Sequence, residues 1–476
     1  MSHTESIFID GTWRAPANGR PFDVIDPATE EVAATIMLAS EADVDDAVDA
    51  ARRAFPGFAA LSPSERADLL EAIVAEYDRR TDALVDAVIT EMGAPEGFAR
   101  NVQIKMARER FERAAKIVRS YDFEQMVGTS LVVREPIGVC AFITPWNWPL
   151  NQAASKIAYS LAAGCTSVWK PSEVSPLSAV ILTEVMDAAG LPKGVVNLVQ
   201  GDGPSVGAAM SRHPGVDMVS FTGSTRGGIA VAHAAADTVK RVHQELGGKS
   251  ANIILPDADL ESAVATGTTR AFRNTGQSCQ APTRMLVPQD RMDEAAEIAR
   301  RAALAMRVGD PRAPDTDLGP LVSAQHWAKV QGLIQTGIDE GATLACGGPG
   351  LPEGFNKGYF VRPTVFADVT NDMTIAREEI FGPVLSIIGY SDEAHAIEIA
   401  NDSIYGLAAY ISTPDLDRAR GLARNLRAGR VYLNYAAARG DVPFGGYKQS
   451  GNGREQGVHG LEDFTELKAI LGYEPA

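Results

Sequence analysis

The sequence predicts an α/β protein: a doubly wound parallel-sheet domain followed by a second α/β domain. Three observations carry this. Between Ile137 and Leu246 short apolar runs alternate with helical stretches. Those runs are hydrophobic almost throughout, as strands covered on both faces must be. From Asp259 onward the alternation resumes, and 476 residues with 45% hydrophobic side chains supply more than one core.

The elements follow in order. Residues 6–13 and 22–25 read as strands, the second stopped by Asp26-Pro27. Ser62-Pro63-Ser64-Glu65 has capping-box spacing with Pro at the first helical position, and Leu69, Leu70, Ile73, Val74 and Tyr77 then share one helical face. A helix over 82–92 ends at Gly93. Another, 101–120, carries Lys105, Arg108, Arg110, Arg113 and Lys116 and reads as a solvated basic face. Strands are expected at 137–143, 166–170, 195–199, 217–221 and 239–246, alternating with helices at 151–163, 176–189, 204–211 and 224–235. The second half shows helices at 259–273, 290–306, 326–340, 392–401 and 415–426, with strands at 284–287, 384–389 and 430–434. Large and charged residues interleave the glycines of 444–457, which reads as a loop of fixed turns.

Lys plus Arg is 44 and Asp plus Glu is 61, a net charge of −17 that opposes nucleic-acid binding. Cys140, Cys165, Cys279 and Cys346 are widely spaced and read as free thiols in a reducing compartment. The seven histidines have no ligand spacing, so no metal is expected. The first ten residues lack a secretory core, and 137–150 is too short and too broken by prolines to span a bilayer. The expectation is a cytoplasmic protein without membrane or nucleic-acid partners.

Ligands of doubly wound sheets bind at the carboxyl ends of the strands. Gly223-Ser224-Thr225-Arg226-Gly227 follows a strand and opens a helix, where backbone N–H groups can meet a pyrophosphate. Gly201-Asp202-Gly203-Pro204-Ser205-Val206-Gly207 has its third glycine one position late for the dinucleotide fingerprint, and a plain strand-to-helix turn fits it too. Lys170 and Glu173 past another strand end read either as ribose ligands or as an ion pair. A carboxylate there would repel a 2′-phosphate and favours NAD over NADP. Cys279 lies in a small polar turn, Asn274-Thr275-Gly276-Gln277-Ser278-Cys279-Gln280, the setting a reactive thiol needs, although a structural thiol fits as well. His243 is the nearest histidine in sequence for a Cys–His pair, without a local signature to support it.

Glu245-Leu246-Gly247-Gly248-Lys249, with Cys279 following 34 residues later (279 − 245), resembles the active-site pair of the NAD(P)-dependent aldehyde dehydrogenase superfamily. The resemblance spans nearly the whole chain. It includes Pro145-Trp146-Asn147-Trp148-Pro149, Lys170-Pro171-Ser172-Glu173 and Phe221-Thr222-Gly223-Ser224. Glu378-Glu379-Ile380-Phe381-Gly382-Pro383-Val384 and Pro443-Phe444-Gly445-Gly446-Tyr447-Lys448-Gln449-Ser450-Gly451 complete it.

The resemblance implies a hydrolytic, NAD+-dependent enzyme. Cys279 is the implied nucleophile, Asn147 the oxyanion donor and Glu245 the base that activates water. Lys156 and Glu466 match positions implied to relay protons from that base, or else form a structural pair. Trp146 and Ser224 are implied near the pyrophosphate, Ile143 on the adenosine side, Glu379 on the nicotinamide ribose and Phe381 beside the ring. Lys170, Ser172, Glu173, Gly203, Gly207, Phe221, Gly223, Leu246 and Gly247 complete the implied cofactor set. Asn434 resembles an Asn that braces the catalytic loop. The implied domains are cofactor (1–118 and 137–247), catalytic (248–449) and a small β oligomerisation extension (119–136 and 450–476), the last used in a homodimer or homotetramer.

Trp148, Gln152, Ser155, Ser278, Gln280 and residues 435–442 are expected to shape the substrate pocket. Ser155 is small, and Gln280-Ala281-Pro282-Thr283-Arg284 resembles members acting on long-chain or ring-bearing semialdehydes. Arg439 is either a ligand for a substrate carboxylate or a solvent-facing residue. Two alternatives stand beside the hydrolytic reading: a CoA-acylating semialdehyde dehydrogenase, and a non-catalytic NAD-binding protein of the same fold.

Overall fold

The structure, a computed structural model, describes residues 3–474. An eight-stranded sheet has five parallel strands in the order Arg241–Glu245, Met218–Thr222, Val139–Ile143, Thr166–Lys170 and Val196–Leu198. From Val139–Ile143 the chain builds outward to one side, then returns to add Met218–Thr222 on the other. The topological switch point therefore lies between the ends of those two strands, where Ile143 and Phe221 are in register. Cys140 and Phe142 pack into one core while Val139, Ala141 and Ile143 pack into another. Period-two alternation with both faces buried explains the unbroken apolar run.

The second sheet has seven strands, all parallel except the edge strand Thr343–Cys346. A three-stranded sheet joins Thr465–Ile470, Ser130–Pro136 and Glu124–Val127. Its register sets Leu131 opposite Ile470 and Arg134 opposite Leu467. Among the described residues no helix is long and apolar enough to cross a membrane.

The α/β class and the parallel alternation hold, and the differences have local causes. The helix Glu41–Ala59 has no counterpart in the sequence reading. Its buried face is built largely from Val44, Ala47, Val48, Ala50 and Ala51, a faint periodic signal, and its cap pairs Ser40 with Asp43 instead of Glu or Gln. The strands Ala251–Ile254, Thr364–Ala367 and Ala408–Ser412 are likewise missed. The strand expected from 239 begins at Arg241, because Val239 is left-handed and exposed. On the helix Lys105–Ser120, Arg108 and Lys116 both meet Glu112, Arg113 meets Glu109, and Arg110 is buried against Asn151. Lys105 and Lys116 stay exposed and these ion pairs lie within the helix, so the solvated reading holds for this side except at Arg110.

Candidate active site

The carboxyl ends at the switch point form one wall of a cleft of about 190 Å³. Cys279 faces it from the loop after the helix Leu260–Phe272. Asn274, Thr275 and Gly276 precede it with φ of 59°, 56° and 74°. Left-handed non-glycine residues cost about 1–3 kcal/mol each and persist only where neighbours hold them. Here the neighbours are explicit. Asn274 Nδ2 donates to the Asn147 carbonyl at 3.0 Å and to the Gln277 carbonyl at 3.1 Å. Gln103 Nε2 donates to Asn274 Oδ1 at 3.1 Å, and Gln277 Oε1 accepts from the Val322 N–H at 3.0 Å. A Cβ at Gly276 would stand 2.0 Å from the Gly382 carbonyl oxygen, so the loop is pressed onto the 379–383 segment. Gly276→Ala is expected to destabilise the fold by about 3 kcal/mol through overpacking and strain. A lowered thermal unfolding temperature would register this, and an unchanged one would contradict it.

Cys279 is half-buried, whereas Cys140 and Cys165 sit in the core. Burial, then Glu379 and Glu245, push its thiol above the usual range. Asn147 Nδ2 donates to the Gln277 carbonyl at 2.9 Å, two residues before the thiol. An amide nitrogen carries two N–H groups, so one remains to be offered.

Glu245 ends the strand Arg241–Glu245 and is 2% exposed. Neither carboxylate oxygen has a hydrogen-bond partner among the described residues. Burial pushes its pKa up to about 7; His243 and Lys156 pull it down and Glu455 pushes it up. Gly445 makes room, since a Cβ there would stand 2.7 Å from Glu245 Oε1. Lys156 is fully buried and its Nζ meets Glu455 Oε1 at 2.7 Å.

Two sequence expectations are corrected. Glu466 does not accompany Lys156: it lies on the exposed face of Thr465–Ile470 and pairs with Arg241 at 2.7 Å. The acid beside Lys156 is Glu455, which the sequence reading missed, and the Gly453-Arg454-Glu455 turn gave no separate signal for it. Asn434 does not brace the catalytic loop. Its side chain clamps the Thr413 N–H and carbonyl at 2.9 Å each, tying two strand ends of the second sheet. Asn274, Gln277 and Gln103 do the bracing.

Of the other expected residues, Trp146, Gly223, Ser224, Leu246, Gly247, Glu379 and Phe381 line the same cleft. Glu379 Oε1 accepts the Gly248 N–H at 2.9 Å, and burial lifts its pKa to about 7. A Cβ at Gly247 would stand 2.4 Å from Glu379 Oε2, and one at Gly248 2.4 Å from the Cys279 carbonyl oxygen. The glycine pair thus lets two loops close on the cleft. Thr222, Gln152, His326 and Lys329 also line it. His326 and Lys329 lie three residues apart on the helix Ala324–Asp339 and were outside every motif. They hold the backbone of the 379–381 segment, His326 Nε2 at 2.7 Å from the Phe381 carbonyl and Lys329 Nζ at 2.8 Å from that of Glu379.

Ile143, Lys170, Ser172, Glu173, Gly203, Gly207 and Phe221 do not line the cleft. Ile143 and Lys170 are in register across their strands, and both lie within 4 Å of where a Gly207 Cβ would stand. Lys170 Nζ donates to the carbonyls of Pro171 (2.7 Å) and Gly201 (2.8 Å), with Glu173 at 3.5 Å. Ser172 is buried, and its Oγ accepts the Val174 N–H at 3.4 Å. The turn opening at Gly203 is capped by Asp202, which accepts the Ser205 N–H. The Phe221 ring packs over Gly223 and Gly227, where no Cβ would fit. Ser224 caps the helix Thr225–Ala235. Arg439 is exposed and pairs with Asp441 at 2.6 Å. Among the described residues no group of three His, Cys, Asp or Glu is placed to hold a metal ion.

Comparison with known proteins gives one family. Its model, "Aldehyde dehydrogenase family", matches residues 13–470. The chain is 54% identical to 3-succinoylsemialdehyde-pyridine dehydrogenase of a Pseudomonas species, over 100% of both chains. It is 51% identical to aldehyde dehydrogenase C of Pseudomonas syringae, whose mutant was solved with NAD+ and octanal. That match has a TM-score of 0.99 and covers 100% of this chain and 98% of the other. A Mycobacterium tuberculosis aldehyde dehydrogenase solved with NAD+ is 41% identical, with a TM-score of 0.95 over 98% of each chain.

Proposed function

The chain belongs to the aldehyde dehydrogenase family, and from that premise we propose an NAD+-dependent, hydrolytic oxidation of an aldehyde to its carboxylic acid at the Cys279–Glu245 cleft. Cys279 attacks the aldehyde carbon and forms a thiohemiacetal. The free Asn147 N–H and the Cys279 backbone N–H hold the oxyanion, donors worth roughly 3–4 kcal/mol each in comparable sites. NAD+, when bound, supplies the hydride acceptor. Glu245 then takes a proton from water, whose oxygen attacks the thioester and releases the acid and the Cys279 thiol.

The residues fit that cofactor. Glu379 Oε1 is engaged by Gly248, while its second oxygen and the buried, unpartnered Thr222 hydroxyl face the cleft as polar anchors. Trp146 and Phe381 supply ring walls. Lys170 holds the adenosine side with Ile143 and Gly207, exchanging its longest contact, to Glu173, for a ribose hydroxyl. Glu173 disfavours a 2′-phosphate at that position.

The observation that carries the hydrolytic reading is Glu245 itself. A buried carboxylate whose oxygens have no hydrogen-bond partner among the described residues, in the same cleft as the thiol, suits a base for water and is not needed if CoA releases the acyl group. NADH formation at 340 nm with NAD+ and no CoA is the test. Turnover is expected, and turnover only after CoA is added would overturn it. The panel should centre on long-chain and ring-bearing aldehydes and semialdehydes, which both Pseudomonas relatives support. Arg439 is exposed and pairs with Asp441, which supports its reading as a solvent-facing residue.

The exposed Met126, Val127, Leu467 and Ile470 of the three-stranded sheet support its use in pairing subunits as a dimer or tetramer. The two large sheets support the cofactor and catalytic division, and the free thiols support a cytoplasmic setting.

A further inference from the structure

Glu245 shares its strand with a second buried titratable group. His243, two residues back and so on the same face, is 2% exposed, and its Nε2 lies 3.6 Å from Glu245 Oε1. Its Nδ1 is in close hydrogen-bond contact with the Asp463 carboxylate. The ring lies close against Gly453, where a Cβ would stand 2.7 Å from Nδ1. Neither His243 Nε2 nor either Glu245 oxygen has a hydrogen-bond partner among the described residues. Two buried polar groups thus face each other, one of them open to the cleft.

The surrounding charges decide what the pair can do. Asp463 and Glu245 face the imidazole, and Lys156 opposes it. Glu455, Lys156 and Cys279 face Glu245 together with His243. Lys156 is already paired with Glu455, and Glu455 favours a protonated Glu245. Burial works in the same direction. A carboxyl so placed would hold its proton unless a further cation stood nearby.

We propose that His243, held as an imidazolium by Asp463, is a positioning residue that keeps Glu245 ionised and fixed for water activation. The inference rests on the reading of Glu245 as the base. Burial disfavours the imidazolium, but Asp463 overrides it and lifts the His243 pKa to about 9. Asp463 lines an open cleft with Arg134 and Arg241, so its own charge keeps contact with water. The cation stands two residues back along the strand, and Glu245 itself lines the cleft.

A nearby cation lowers a carboxyl pKa, so removing it moves the acid limb of thioester hydrolysis to higher pH. The test follows the acyl-enzyme formed from octanal and NAD+, acid-quenched and weighed as intact protein, from about pH 5.5 to about 9.5. His243→Asn is expected to shift the limb upward by about one unit, roughly tenfold slower hydrolysis below it, with convergence on wild type at high pH. Asp463→Asn leaves the ring but removes the charge that keeps it protonated, and is expected to shift the limb the same way. If His243→Asn does not fold, Asp463→Asn alone decides. Profiles that overlay wild type, or a uniform slowing without a shift, would overturn the proposal. Glu245→Gln run alongside separates the two readings. If it hydrolyses the acyl-enzyme at the wild-type rate, the base assignment fails; if it is slow while His243→Asn overlays wild type, only this inference fails.

Discussion

Replacing Cys279 with alanine is expected to lower NADH formation by about a thousandfold or more, because no acyl group can then be carried on the protein. The other three cysteines cannot substitute. Cys140 and Cys165 are buried in the core of the first sheet, and the Cys346 thiol lies against the Pro363 carbonyl outside the cleft. The substitution removes one sulfur from a half-buried site, and the loop is held by Asn274, Gln277 and Gln103, none of which bonds to that sulfur. Thermal unfolding should therefore stay close to wild type. Turnover within tenfold of wild type would end the nucleophile assignment.

The second large effect concerns the other half of the reaction. Glu245→Gln keeps the shape of the side chain but removes the proton acceptor. Steady-state turnover is expected to fall by about 10²–10⁴-fold, the range for loss of a general base. One turnover of NADH should still appear, because attack and oxidation need the Cys279–Asn147 side of the cleft. The expected signature is a stoichiometric burst followed by accumulation of acylated protein at Cys279, read by intact mass. If the burst disappears along with the steady state, Glu245 is needed before the thioester forms.

The sequence made the centre of the site legible because motifs compress it. Cys279, Glu245 and Asn147 each stand in a run whose neighbours are physically constrained, by glycines that let loops touch and by amides that clamp backbone carbonyls. What sequence spacing hides is a partnership between side chains far apart in the chain. Lys156 finds its carboxylate 299 residues on, at Glu455. Glu466 stood in a recognisable motif, but it lies on a strand exposed from Glu466 to Ile470 and pairs with Arg241. Asn434 had the right residue type at a strand end and serves the neighbouring strand instead. The first parallel sheet was legible because its strands are buried on both faces and alternate regularly with helices, whereas the equally buried Ala251–Ile254, Thr364–Ala367 and Ala408–Ser412 of the second sheet were not. The helix Glu41–Ala59 was not, because small residues, chiefly Val44, Ala47, Val48, Ala50 and Ala51, make up most of its buried face. His326 and Lys329 were beyond reach, since they act on the 379–381 segment through backbone carbonyls, which any sequence supplies.

The strand that ends in Glu245 pairs on its outer side only with Gly451–Asn452, so almost the last part of the chain closes the edge of the first sheet. The same segment brings Gly445 against the Glu245 carboxylate and Glu455 against Lys156. During synthesis the ribosome will therefore have released most of the protein, thiol loop included, while the base still lies on an unpaired edge. That edge is open to other strands in the interval, as unpaired edges are. A chain cut before Gly445 is therefore expected to leave that edge unpaired, and loss of NADH formation together with increased light scattering would register it.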